Sequence, residues 1–100
     1  MEFLETDVFT KRIQEILSDE EYSFLQADLI KTPNAGKLIP GAKGLRKLRW
    51  SLEGKGKRGG ARVIYYWYVD EQQIYMIYAF KKSDQADLTP DQLKALVQYV

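Results

Sequence analysis

Cysteine and histidine are both missing from the 100 residues of this chain. Without cysteine there is no disulfide, no thiol nucleophile and no thiolate zinc site, and without histidine the usual general base near neutral pH is gone. Any chemistry falls to Lys, Arg, Tyr, Asp or Glu. Also lacking is an apolar run of the length a membrane span requires. The stretch from Met1 to Val8 carries Glu2, Glu5 and Asp7 where a signal peptide needs positive charge and an apolar segment, so the expected compartment is the cytoplasm, with no membrane partner. No internal repeat or low-complexity tract interrupts the chain.

What is present is enough for a core. Hydrophobic residues make up 45% of the sequence and include thirteen aromatics, so the 29% of charged residues does not signal disorder. One domain, residues 1–100, is the expectation for this length. The net charge of +1 conceals a separation of sign along the chain. Between Lys37 and Arg62 stand nine basic residues against Glu53 alone, a local charge of +8, while the remaining residues sum to −7. Such a division marks a surface for a polyanion, with acidic flanks that limit indiscriminate association. A merely solvated basic face is the bland alternative, and the glycines and aromatics interleaved with the charges weigh against it.

Phe3 and Leu4 read as a short edge strand. Asp7 or Thr10 can cap a first helix reaching about Leu17, and Ser18-Asp19-Glu20-Glu21 is a capping box that starts a second. The apolar positions Tyr22, Leu25, Leu29 and Phe24, Ala27 recur at helical spacing until Thr32-Pro33 ends the helix. Residues 33–44 have the punctuation of a loop. Leu45, Leu48, Trp50 and Leu52 alternate, nearly, with Lys47, Arg49 and Ser51, which predicts a strand with one apolar and one basic face. The run GKGKRGG, residues 54–60, is a turn into an aromatic and β-branched strand from Ala61 to Val69, followed by a turn and a strand from Ile74 to Phe80. Thr89-Pro90 caps a final helix to about Tyr99. The order βααβββα is α+β, a mainly antiparallel sheet with its helices packed on one face.

Three groups of residues carry candidate chemistry. In residues 54–60 the glycines let backbone approach a phosphate while Lys55, Lys57 and Arg58 supply charge; a nucleotide-hydrolysing phosphate loop is excluded, because Gly36 and Gly41 have the spacing but Ala42 follows. Arg62 stands in an otherwise apolar strand, where an unpaired charge is costly to bury. Strand alternation puts Arg62, Ile64, Tyr66 and Tyr68 on one face, which selects Tyr66 as the tyrosine to place near Arg62. Lys81-Lys82 end the last strand and reach Arg62 only if the connections are tight. Lys43, Arg46, Lys47 and Arg49, with Lys81, are candidates for contacts to the backbone of a polyanion, which the resemblance below implies is RNA.

Leu45-Arg46-Lys47-Leu48-Arg49, followed by Gly54-Lys55-Gly56-Lys57-Arg58-Gly59-Gly60-Ala61-Arg62-Val63-Ile64-Tyr65-Tyr66, resembles the core signature of HigB-like toxins in the RelE/ParE superfamily. The likeness extends to Ser18-Asp19-Glu20-Glu21-Tyr22, to the Pro33 and Gly36 loop and to Lys82–Leu88. It implies a RelE-like fold and the toxin of a type II toxin–antitoxin system, one that enters the ribosomal A site and cuts translated mRNA by attack of the ribose 2′-hydroxyl. Neither metal nor cofactor is implied. The implied partners are a DNA-binding antitoxin, the ribosome and mRNA, with the toxin monomeric inside the toxin–antitoxin complex. Carried over by position, Lys55, Lys57, Arg58, Arg62 and Lys82 become the phosphate and transition-state contacts. Many relatives have a tyrosine two residues before the lysine matched to Lys82; here that position is Phe80, which leaves Tyr66 or Tyr78 for any phenolic proton transfer. Two other classes also fit the basic centre: a ParE-like toxin that poisons gyrase, and a non-catalytic RNA-binding regulatory module.

Overall fold

The computed structural model describes residues 1–51 and 60–100. The turn at residues 54–59, with Lys55, Lys57 and Arg58, lies outside the described residues, as do Leu52 and Glu53. The described elements are β1 (Glu2–Glu5), α1 (Asp7–Ile16), α2 (Asp19–Lys31), β2 (Lys37–Leu38), β3 (Arg46–Trp50), β4 (Ala61–Tyr68), β5 (Gln73–Lys81) and α3 (Pro90–Leu96), the last continued by a 3₁₀ turn, Val97–Tyr99. The sheet runs β1-β5-β4-β3-β2. Only β1 is parallel to its neighbour; β2 to β5 are joined antiparallel. The α+β class and the expected order hold, with the two-residue strand β2 added inside the expected loop.

Caps decide where the helices begin. At α2 both halves of the capping box form, Glu21 N donating to Ser18 Oγ and Ser18 N to the Glu21 carboxylate. At α3 Thr89 and Gln92 do the same ahead of Pro90. The cap of α1 is Thr6, not Asp7 or Thr10. Its hydroxyl accepts from Phe9 N at 3.0 Å and donates to Ile77 O at 2.7 Å, so this residue satisfies a helix terminus and a strand carbonyl together.

That carbonyl is free because β5 carries a bulge. The pairing steps from Ile64↔Tyr78 to Tyr65↔Met76, so Ile77 is the extra residue. Ile77 and Tyr78 therefore both turn to one face, breaking the alternation that a strand from Ile74 to Phe80 implies. Beyond the last β1 pair at Met76, α1 covers the edge of β5, where Arg12 Nε donates to Ala79 O at 2.6 Å.

The helices divide between the two faces of the sheet instead of gathering on one. Phe9, Ile13, Leu17, Leu25 and Leu29 of the first two helices bury Val63, Tyr65, Ile74, Met76 and Ala79. Leu96, with Leu88, Leu93 and Val97 at the core's edge, packs on Ile64, Ile77 and Phe80 across the opposite face, joined by Ala42 and Leu45 of the β2–β3 connection. The central strand β4 is apolar on both sides and has to be covered twice, a demand that the αα pair alone cannot meet. Phe24 and Ala27, which share helical spacing with the core positions of α2, are exposed instead, Phe24 by 58%.

Candidate functional site

The site lies on the α3 face of the sheet, where β3 and β4 run side by side. Register places Lys47 opposite Ile64 and Arg49 opposite Arg62, and Lys37 of β2 opposite Lys47. Directly opposed residues project to the same side, so these four cations share one face. Arg46 does not join them. It pairs with Tyr65 on the α1–α2 face, and its guanidinium donates to the carbonyls of Gly36 at 2.8 Å and Asn34 at 3.4 Å. There, with Tyr65 Oη donating to Pro33 O and accepting from Gly36 N, it ties down the loop after α2.

Arg62 is only 3% exposed, and its Nη1 donates to Ala61 O at 3.1 Å. Burial pushes its guanidinium below the ordinary value, the charge of Arg49 pushes in the same direction, and Asp87 pulls the other way. It stays cationic all the same. Two arginines directly opposite across a strand pair repel. The arrangement therefore favours anionic charge in front of it, which Asp87 supplies in part.

Asp87 is the carboxylate that pairs with these cations, and the sequence pattern did not single it out. Lys47 Nζ donates to its two carboxylate oxygens at 3.0 and 3.1 Å. That hydrogen bond is the foremost cause holding the Asp87 carboxyl below its ordinary value, supported by a bond from Leu88 N and the charges of Lys47 and Arg62 and opposed by partial burial. The segment between β5 and α3 places it. Asp84 N and Gln85 N return to Lys81 O, and Gln85 Nε2 bridges Asp87 O and Gln92 Oε1 at the start of α3.

The connection from β4 to β5 is tight enough to bring Lys81 and Lys82 beside the start of β4. Lys81 pairs with Ala61, and Lys82 N donates to Gly60 O at 3.0 Å. Alternation sends Lys81 to the Ala61 and Ala79 side, away from Arg62, and Lys82 opens the turn that follows β5. Phe80 pairs with Arg62 and is fully buried. Tyr66 shares the face of Arg62 but sits four residues along β4, about 13 Å at strand rise. Its ring lies 4.5 Å from that of Tyr68 and against Gly44, where a Cβ would come within 2.8 Å of it. The structure does not bring Tyr66 to Arg62. Tyr78 is nearer, two residues from Phe80 with ring centroids 6.1 Å apart, and is held by the Arg12 guanidinium 4.9 Å above its ring. Lys43 stands at the exposed corner of the β2–β3 connection, with a left-handed φ of 55°. Lys37, Lys47 and Arg49, with Ala35 and Leu48, line an open groove of about 440 Å³ at the sheet edge, so Lys37 belongs to the site although no motif includes it.

Fold and site together define a small α+β protein whose sheet presents a cationic face partly neutralised from within. The family model of the RelE toxin of the RelE/RelB toxin–antitoxin system matches residues 40–100, the span that holds β3, β4, β5 and α3. The chain belongs to the RelE toxin family. Among solved structures it is similar to E. coli toxin RelE in the free state, a double arginine-to-alanine mutant, with a TM-score of 0.64, 12% identity, and 98% of this chain and 94% of that one covered. It is also similar to the intact E. coli RelBE toxin–antitoxin complex, with a TM-score of 0.59, 17% identity, and 80% of this chain and 94% of the matched chain covered. The RelE-like fold is thus shared at low identity. No helix among the described residues is long and apolar enough to cross a membrane.

Proposed function

We propose that this chain is a HigB-like, ribosome-dependent mRNA endoribonuclease, the toxin of a type II system, acting in the cytoplasm and restrained by a cognate antitoxin. The observation that carries the reading is the opposed pair Arg49 and Arg62, with Lys47 one step along β3: an arrangement that repels itself until an anion is seated before it. RNA supplies such an anion at every residue. In cleavage by the neighbouring 2′-hydroxyl the phosphate gains charge in the transition state, and a buried, fixed guanidinium stabilises that charge without reorganising. Arg62 has this role in our reading. Lys82, Lys55, Lys57 and Arg58 are assigned to the same phosphate on the resemblance, Lys82 with the support that its amide bonds to Gly60 O, two residues before Arg62. Lys37, Lys43, Lys47 and Arg49 hold the RNA backbone. The solved E. coli RelBE complex supports an antitoxin as the protein partner.

The test is expression without a partner, followed by mapping of RNA ends on one message in a translated and an untranslated form. Growth arrest with breaks confined to the translated message is the expected result. Arrest with intact RNA and broken DNA points to gyrase, and RNA association without breaks points to a binding module; either outcome refutes the reading.

A further inference from the structure

The Lys47–Asp87 pair joins residues forty positions apart, one on the strand that presents the cationic face and one on the turn leading into α3. Both partners face solvent, the side chains being 31% and 59% exposed, and an exposed ion pair of this kind adds little to stability. Its position is more informative. The carboxylate takes two donors of one ammonium, as phosphate oxygens do, in front of the strand pair that carries Arg49 and Arg62. Lys37, Lys47 and Asp87 also line a groove of about 300 Å³, with Leu38, Ile39, Leu88 and Leu93 as its apolar walls.

We propose that Asp87 is the internal counter-ion of the RNA-binding face, a carboxylate seated where Lys47 would hold a phosphate and exchanged for that phosphate when RNA binds. The proposal rests on the reading of this face as an RNA site. Lys47 then does not count as a free cation in the unbound protein: seating a phosphate on it means breaking a bond already made and leaving Asp87 to swing into solvent. A weakly held polyanion gains nothing from that exchange, whereas an RNA fixed also by Arg49 and Arg62 does. Asp87 in this account sets the threshold of binding and takes no part in bond making.

The experiment is an equilibrium titration of the full chain with a single-stranded 2′-O-methyl RNA, which lacks the nucleophile and stays uncut, over a series of salt concentrations. Parent, Asp87→Asn, Lys47→Ala and the double variant are compared. Asparagine keeps an oxygen to accept from Leu88 N, so that local bond survives the loss of charge, and the Thr89 cap of α3 is untouched. Asp87→Asn is expected to bind several-fold more tightly, with the plot of log affinity against log salt steeper by about 0.7, one additional phosphate contact on a single strand. In the Lys47→Ala background the same substitution should change the slope by nothing. If Asp87→Asn keeps the parent slope, or steepens it equally without Lys47, the exchange is refuted while the RNA reading stands. If no variant binds RNA at any salt concentration, this inference falls, while the ribosome-dependent reading is decided separately by the breaks in translated and untranslated message. Asp87→Ser, which also retains a side-chain oxygen, replaces the asparagine variant should the latter not fold, and is held to the same outcomes.

Discussion

Thr6 has a single hydroxyl and uses it twice, as acceptor for the first turn of α1 and as donor to the carbonyl that the β5 bulge releases. Valine keeps the shape and loses both bonds. The lost cap costs about 1 kcal/mol. The orphaned buried carbonyl adds about as much again. Thr6→Val is therefore expected to lower the melting temperature by roughly 10 °C, given about 4–8 °C per kcal/mol in a chain of this size. An unchanged melting temperature in a thermal scan would refute the double role. Asp87 makes a prediction of a different kind. Lys47 holds its carboxyl below the ordinary value, so the pair's contribution is complete above the unfolded pKa of about 3.9 and is lost as pH falls through the lower folded one. The pair is exposed and screened, so the contribution is small. Melting curves of the parent and Asp87→Asn should run apart by a constant small offset at neutral pH and converge in acid. An offset that persisted at the acid end would mean that the asparagine acts through something other than charge.

At the scale of elements, the path from β3 into β4 depends on Gly60. A Cβ there would collide with the backbone carbonyl of Trp50, which has no freedom to give way because Trp50 and Ala61 are paired. Gly60→Ala is expected to cost about 1–3 kcal/mol, as overpacking does in a tight interior. It should also disturb Lys82, whose amide bonds to Gly60 O. Chemical denaturation would measure it, and a midpoint equal to the parent's would count against the close approach. Most of these elements were legible in the sequence because their signals are local: Ser18 with Glu21, Thr89 with Pro90, the break at Pro33, the β-branched and aromatic run of β4. What was not legible depends on partners distant in the chain. Thr6 outranks Asp7 and Thr10 as a cap because a carbonyl 71 residues away needs its proton. The bulge at Ile77 and the placement of α3 on the second face follow from covering β4 on both sides, a condition that no window of α3 contains.

For the molecule as a whole, the run of positive charge from Lys37 to Arg62 marks the strands that form the cationic face but not the internal arrangement of that face. Alternation separated Lys47 and Arg49 from the apolar face, yet the pairing of Arg49 with Arg62 depends on a register that only the folded hairpin supplies. Asp87 lies in the acidic remainder of the chain, where nothing distinguishes it from the other carboxylates until the turn after β5 brings it back over Lys47. Arg46, alike in composition to its neighbours, is spent on the loop after α2. The central claim is that this face divides into residues that hold RNA and one that acts on the transition state. It is tested most directly by single-turnover cleavage of mRNA on ribosomes saturated with toxin, comparing the parent, Arg62→Ala and the double variant Lys47→Ala with Arg49→Ala. Removing one transition-state contact costs on the order of 3 kcal/mol, so Arg62→Ala should cleave about a hundredfold more slowly at saturation with its affinity for the ribosome nearly intact. The double variant should need more protein to saturate and then cleave at close to the parent rate. Cleavage by saturating Arg62→Ala at the parent rate would contradict the account.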